Sequence, residues 1–139
     1  MLRFLFDTDH LTLYDHQHPV VLQRFLGHLP GSVGVTIVTA EEALRGRLAV
    51  VSKAAPGTAR IQAYDRLAST LHLLNQFPIL CSDQPAEDLF QHLRGLKLRI
   101  GSQDLRIAAI ALAHQLVLVT RNQHDFGRVP GLVLEDWSI

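Results

Sequence analysis

Three short apolar runs, at residues 2–6, 33–38 and 116–119, each break off at polar residues suited to open a helix or a loop. Runs of strand length separated by helical stretches demand a parallel sheet, because parallel neighbours need a crossover of a dozen or more residues, usually a helix. Between the first two, Val21, Leu22, Phe25, Leu26 and Leu29 recur at helical spacing until Pro30-Gly31 stops them. Thr39-Ala40-Glu41-Glu42 reads as a capping box that starts a helix reaching about Val50. Ile61, Tyr64, Leu67, Ala68, Leu71 and Leu74 mark an amphipathic helix over 58–76. Residues 78–81 predict a very short strand, 85–94 a helix closed by Gly95, and Ser102 caps a helix to about Gln115. That helix is apolar almost all round and is expected in the middle of the fold. A last strand is expected at 132–134, with Trp137 packed behind it. The pattern predicts an α/β fold: a three-layer sandwich on a mainly parallel, roughly five-stranded central sheet.

A chain of 139 residues, 47% hydrophobic, fits one domain over 1–139 with a core that needs no metal or disulfide to hold it. The linker-like stretch 54–57 is too short to divide it. The single cysteine, Cys81, rules out an internal disulfide and agrees with a reducing cytoplasm. No apolar run approaches the roughly 18 residues of a membrane span, and the opening MLRFLFD meets an acid too early for a signal peptide. Thirteen acids balance thirteen bases, which excludes the general basic field of a histone-like protein. Eleven of the bases are Arg, the side chain suited to bidentate phosphate contacts.

Four acids occupy equivalent places in this pattern. Asp7 ends the first strand, Glu42 opens the helix after the second, Asp104 opens the apolar helix, and Asp125 comes after the strand at 116–119. In a parallel sheet these positions share the carboxyl edge, where ligands bind. Singly, each has an ordinary explanation: Asp7 and Asp104 as acids at helix starts, Glu42 as the partner of Thr39 in its capping box. Together they form a cluster of like charges that is costly unless a cation compensates it. Hard oxygen ligands suit Mg²⁺ or Mn²⁺, and the chemistry such a site supports is metal-assisted phosphodiester hydrolysis. Asp65, Glu87, Asp88, Glu135 and Asp136 read instead as solvated, and Asp15 and Asp83 as turn residues.

The segments carrying these acids, 4–9 (FLFDTD), 36–46 (TIVTAEEALRG), 104–109 (DLRIAA) and 120–126 (TRNQHDF), resemble the successive motifs of PIN-domain nucleases. More narrowly they are similar to the VapC-type toxin ribonucleases of bacterial toxin–antitoxin pairs, a likeness that runs on to 129–132 (VPGL) and Trp137. The resemblance implies a Mg²⁺- or Mn²⁺-dependent endoribonuclease, usually dimeric, held inactive by a cognate antitoxin. Asp7 and Asp104 match the principal metal ligands and Asp125 the fourth acid, with Asn122 as its helper. Glu42 matches the second acid because the family places a glycine four residues on, here Gly46; the Glu41-Glu42 doublet leaves that register open by one residue. Thr8 and Thr39 are expected near the metal, where their hydroxyls orient a carboxylate or a water. Arg45, one turn beyond Glu42, and Arg121, beside Asn122, are placed to hold RNA phosphates.

Two other classes compete. Asp7-Thr8-Asp9 after an apolar strand also resembles the first motif of haloacid-dehalogenase-like phosphatases, but neither Lys53 nor Lys97 follows a suitable strand and no late acidic pair occurs. A non-catalytic PIN module binding RNA or protein through its arginines is the second, and the presence of all four acids speaks against it. His16 and His18 near His10 suggest zinc only weakly, since nothing supplies the other ligands at motif spacing; a solvated surface is the expectation there. The helix over 58–76 carries more apolar surface than so small a core needs and is the candidate for pairing in a homodimer.

Overall fold

Burial on both faces explains why the strands read as unbroken apolar runs rather than alternating ones. In the computed structural model, which describes Met1–Ile139, five parallel strands form one sheet: β1 (Phe4–Phe6), β2 (Val33–Thr36), β3 (Ile79–Leu80), β4 (Val117–Val119) and β5 (Leu134–Glu135). Their order is β3-β2-β1-β4-β5, so β1 is central, with Phe4, Leu5 and Phe6 opposite Val33, Gly34 and Val35 on one side and Val117, Leu118 and Val119 on the other. Seven helices make the crossovers: α1 (Thr8–Asp15), α2 (Pro19–Leu26), α3 (Ile37–Lys53), α4 (Thr58–Asn75), α5 (Gln84–Gly95), α6 (Ser102–Ala113) and α7 (Gln123–Phe126).

The sheet separates two cores. Leu5 and Leu118 face α5 and α6, where Phe90, Leu93, Leu105, Ile107 and Ile110 close the first. Phe4, Phe6 and Val119 face the other way, into a second core with Leu11, Val21, Leu73, Phe77 and Trp137. The apolar helix foreseen after Ser102 is α6, with Leu105 and the whole stretch Ile107 to Ala111 buried. Gly34 lets β3 approach closely: a Cβ there would lie 2.7 Å from the carbonyl oxygen of Pro78, the acceptor for the Val35 N–H.

Several local expectations give way to caps. The strand foreseen over 33–38 ends at Thr36, whose hydroxyl accepts the Thr39 N–H at 3.1 Å and starts α3 at Ile37. Thr39 is therefore a buried residue within the helix and not its cap; the β-branched Ile37 and Val38 imitate a strand, yet the capping bond decides. Ser102 is the first residue of α6 and Gly101 its cap, without a side-chain bond. The polar stretch after Asp7 is a helix of eight residues, α1, and the segment beyond Asn122 contains the short α7. Asp83 is the cap of α5 rather than a plain turn residue, accepting the Ala86 N–H at 3.0 Å. The last strand lies two residues later than foreseen and includes Glu135, whose carboxylate accepts the Trp137 indole N–H at 2.8 Å. Asp136 is likewise not a free tail acid: it accepts from the Ser138 N–H and hydroxyl, at 2.8 and 2.6 Å.

Candidate active site

Parallel strands all point their carboxyl ends to one edge, and the four acids arrive there from four elements. Asp7 leaves β1 as the cap of α1, its Oδ1 accepting the His10 N–H at 2.7 Å. Glu42 lies in α3 behind β2, Asp104 in the first turn of α6, and Asp125 in α7 behind β4. Their mutual reach shows in Asp104, whose carboxyl is pushed above the ordinary range, first by partial burial and then by the charges of Glu42, Asp7 and Asp125 in that order.

Neutral donors hold these carboxylates in place. The Thr8 hydroxyl donates to Glu42 Oε1 at 2.8 Å and lies 3.5 Å from the hydroxyl of Thr39. Asn122 donates its amide to Asp125 Oδ2 at 3.1 Å while accepting the Asp125 N–H, and its own N–H is held by the Thr120 hydroxyl at 2.9 Å. The two acids of the doublet point different ways. Glu42 turns to Thr8 and Asp104, whereas Glu41 turns outward to Arg45 and to Gln103 at 3.0 Å.

The two arginines foreseen at phosphate are both on carboxylates. Arg45 pairs with Glu41, and Arg121 grips Asp9 with two bonds of 2.6 and 2.8 Å. That grip also occupies Asp9, the acid a phosphatase of the rival class would use for proton transfer.

His10, expected at a solvated surface, is wholly buried, under Trp137. The Trp137 N–H can only donate, so Nε2 of His10 accepts at 3.2 Å and the ring proton sits on Nδ1. Nδ1 has no hydrogen-bond partner and lies 3.5 Å from Asp7 Oδ1. Asp7, Asp9 and His10 bring ligand atoms within 4.8 Å of one another. A protonated Nδ1 has no lone pair to give a metal, so His10 presents Asp7 with an N–H instead. The signal was its spacing: three residues after a cap, a side chain shares the cap's side of the helix, but the polar run after Asp7 does not announce α1. His18 caps α2, with Nδ1 accepting the Val21 N–H at 3.3 Å.

Comparisons with known proteins fit this geometry. A family model described as PIN domain matches residues 5–132. Ribonuclease VapC2 of Rickettsia felis is 49% identical over 41 residues, 30% of this chain and 31% of that protein, so the match spans about a third of the relative's length. Among solved structures, the DNA-bound VapBC from Salmonella typhimurium superposes with a TM-score of 0.80 at 24% identity, covering 99% of each chain. A toxin–antitoxin complex from Klebsiella pneumoniae gives 0.69 at 26% identity over 93% of this chain and 94% of that one. VapBC2 from Rickettsia felis, bound to a fragment of its promoter, gives 0.75 at 22% over 98% and 99%.

Proposed function

The chain belongs to the PIN-domain family, and from that membership we propose that it is a divalent-cation-dependent endoribonuclease, the toxin of a toxin–antitoxin pair. The observation that carries the reading is the placement of Asp7, Glu42, Asp104 and Asp125 at the carboxyl edge of one parallel sheet, near enough for the other three charges to bear on Asp104. Such a set is all hard oxygen, with neither thiolate nor imidazole in it, and fits Mg²⁺ or Mn²⁺. Asp7, Glu42, Asp104 and Asp125 would hold the ion. When bound, it supplies the charge that neutralises a phosphodiester and lowers the pKa of an attacking water.

The chain's own part is to aim these carboxylates. Thr8 fixes Glu42, Asn122 fixes Asp125, and the buried His10 N–H faces Asp7. Preset orientation matters because a ligand that must first be ordered loses affinity to the cost of ordering it. With these donors placed, the protein needs no nucleophile of its own, and no covalent intermediate is expected.

The same reading implies partners. The Salmonella, Klebsiella and Rickettsia felis neighbours are toxin–antitoxin complexes, which supports a cognate antitoxin here. Its simplest way to silence the site is to send an Arg or Lys among the acids in place of the ion. The exposed Ile61, Tyr64 and Leu71 of α4 support a homodimer through that helix. No helix is long and apolar enough to cross a membrane, and a cytoplasmic place of action goes with an RNA substrate.

Cleavage of mixed-sequence single-stranded RNA with Mn²⁺, with EDTA, and by Asp104→Asn tests the proposal. Cleavage confined to the parent protein with metal is the expected outcome. Equal cleavage in EDTA, or by the variant, would remove the acids from the chemistry.

A further inference from the structure

A groove leaves the acidic edge between α1, α3 and α4. Its first part, about 320 Å³, begins at Thr8 and Glu42 and passes Gly46 to Arg47 and Thr70. A second recess of about 460 Å³ continues from Arg47 to His16 and Arg66, with no hydrophobic residue in its wall. The wholly polar recess meets the first part of the groove at Arg47 and Thr70, and through it reaches Glu42; its lining is unlike the mostly apolar walls of small-molecule pockets.

Arg47 is the group that gives this groove a chemistry. Its Nε donates to the hydroxyl of the buried Thr70 at 3.0 Å, which fixes the plane of the guanidinium. No carboxylate lies within ion-pair distance, although Asp15 and Glu42 are the acids of the groove, and its terminal nitrogens carry no hydrogen bond. The guanidinium is thus tethered at one nitrogen, with a two-pronged fork left over, the arrangement that suits a phosphate. Arg66 beside it makes neither an ion pair nor a side-chain hydrogen bond. Arg45 and Arg121, by contrast, are neutralised by their own carboxylates. Arg47 lies five positions after Glu42 in α3, about 7.5 Å along the axis, the scale of one nucleotide of extended backbone.

We propose that this groove is the path of the RNA strand, with Arg47 holding the phosphate next to the one cut and Arg66 the phosphate beyond. The proposal rests on the ribonuclease reading and adds the direction in which the strand leaves the site. It also gives Gly46 a reason: a Cβ there meets nothing within 4 Å, so the glycine is not required by packing and instead keeps the groove wall low.

The test is fluorescence anisotropy with a labelled, mixed-sequence single-stranded RNA, in the Asp104→Asn background to prevent cleavage, across a salt series. Arg47→Ala is expected to weaken binding about tenfold or more, the loss of one charge-assisted contact, and to lower the salt slope by about 0.7, one phosphate on a single strand. Arg66→Ala, which removes no contact within the protein, should lower the slope in the same way. Arg47→Lys should keep the slope while losing part of the affinity. Gly46→Leu should melt no lower than its parent, since leucine is the better helix former, and yet bind RNA at least tenfold more weakly by filling the groove. Arg94→Ala, on α5 and outside the groove, should bind as the parent does. If Arg47→Ala, Arg66→Ala and Gly46→Leu all keep parental affinity and slope while the wild type cuts RNA with Mn²⁺, the strand runs elsewhere and only this proposal falls. A wild type that neither binds nor cuts RNA would overturn the ribonuclease reading and this one with it.

Discussion

Asp104 sits half-buried and within the field of three other acids, a costly place for a negative charge. Asp104→Asn keeps the shape and removes the repulsion, so in EDTA at neutral pH the variant is expected to melt above the wild type in a calorimeter, while its Mn²⁺-dependent RNA cleavage is lost. A lower melting temperature would mean that the four carboxylates do not repel one another as described. Thr8 tests orientation instead of charge. Thr8→Val removes the bond to Glu42 Oε1 and is expected to weaken Mn²⁺ binding about 10- to 100-fold by titration calorimetry, with the fold retained. At this scale the shared edge of Asp7, Glu42, Asp104 and Asp125 was legible because Asp7 ends an apolar strand, Glu42 and Asp125 lie in the segments that follow two others, and Asp104 opens the apolar helix. His10 and Arg47 were not, since a buried histidine and a tethered arginine are made by what crosses over them, Trp137 in one case and Thr70 in the other, and neither neighbour is near in sequence.

Among the elements, α3 matters most, because it carries Glu42 on one turn and Gly46 and Arg47 on the next. Its start rests on the wholly buried Thr36 hydroxyl, and Thr36→Val is expected to cost about 1–2 kcal/mol of stability, read from urea unfolding, by orphaning the Thr39 N–H. Helix α5 is pinned through Asp83. The Ala86 N–H holds that carboxyl below the ordinary range against a smaller opposing effect of desolvation, and His114, at 2.8 Å, lowers it further. A carboxyl that is more acidic when folded stabilises the protein at neutral pH and loses that contribution as the pH falls from the unfolded value through the native one. Asp83→Asn keeps a capping oxygen without the titration, so urea midpoints measured between about pH 5 and pH 1 should fall less steeply than those of the wild type. The extents of α4, marked by apolar periodicity, and of α6, apolar almost all round, were readable from the sequence. The boundaries of β2 and α3 were not, because β-branched residues favour a strand locally while a hydroxyl three residues from an N–H decides for the helix.

For the whole molecule, a metal that binds only the assembled edge stabilises the entire fold by mass action. At 100 times its dissociation constant, Mn²⁺ should add about 2.7 kcal/mol, which for a chain of this size raises the melting temperature by roughly 5–10 °C. The gain should vanish with EDTA and in Asp104→Asn, as a thermal scan would report. The parallel α/β class could be read from the chain, but the strand order could not, since apolar runs carry no label for their neighbours. That order has a consequence in time. The central strand is the first one made, and one of its two partners, β4, comes close to the other end of the sequence. Arg121 and Asp9, which clasp each other across the finished edge, stand 112 positions apart. At synthesis rates of about 5–20 residues per second, many seconds pass on the ribosome during which β1 has an open flank and the acids are scattered along a growing chain. A nascent or prematurely ended product therefore has no assembled acidic edge, and on the ribonuclease reading proposed above no cleavage is expected until nearly the whole sequence has been translated.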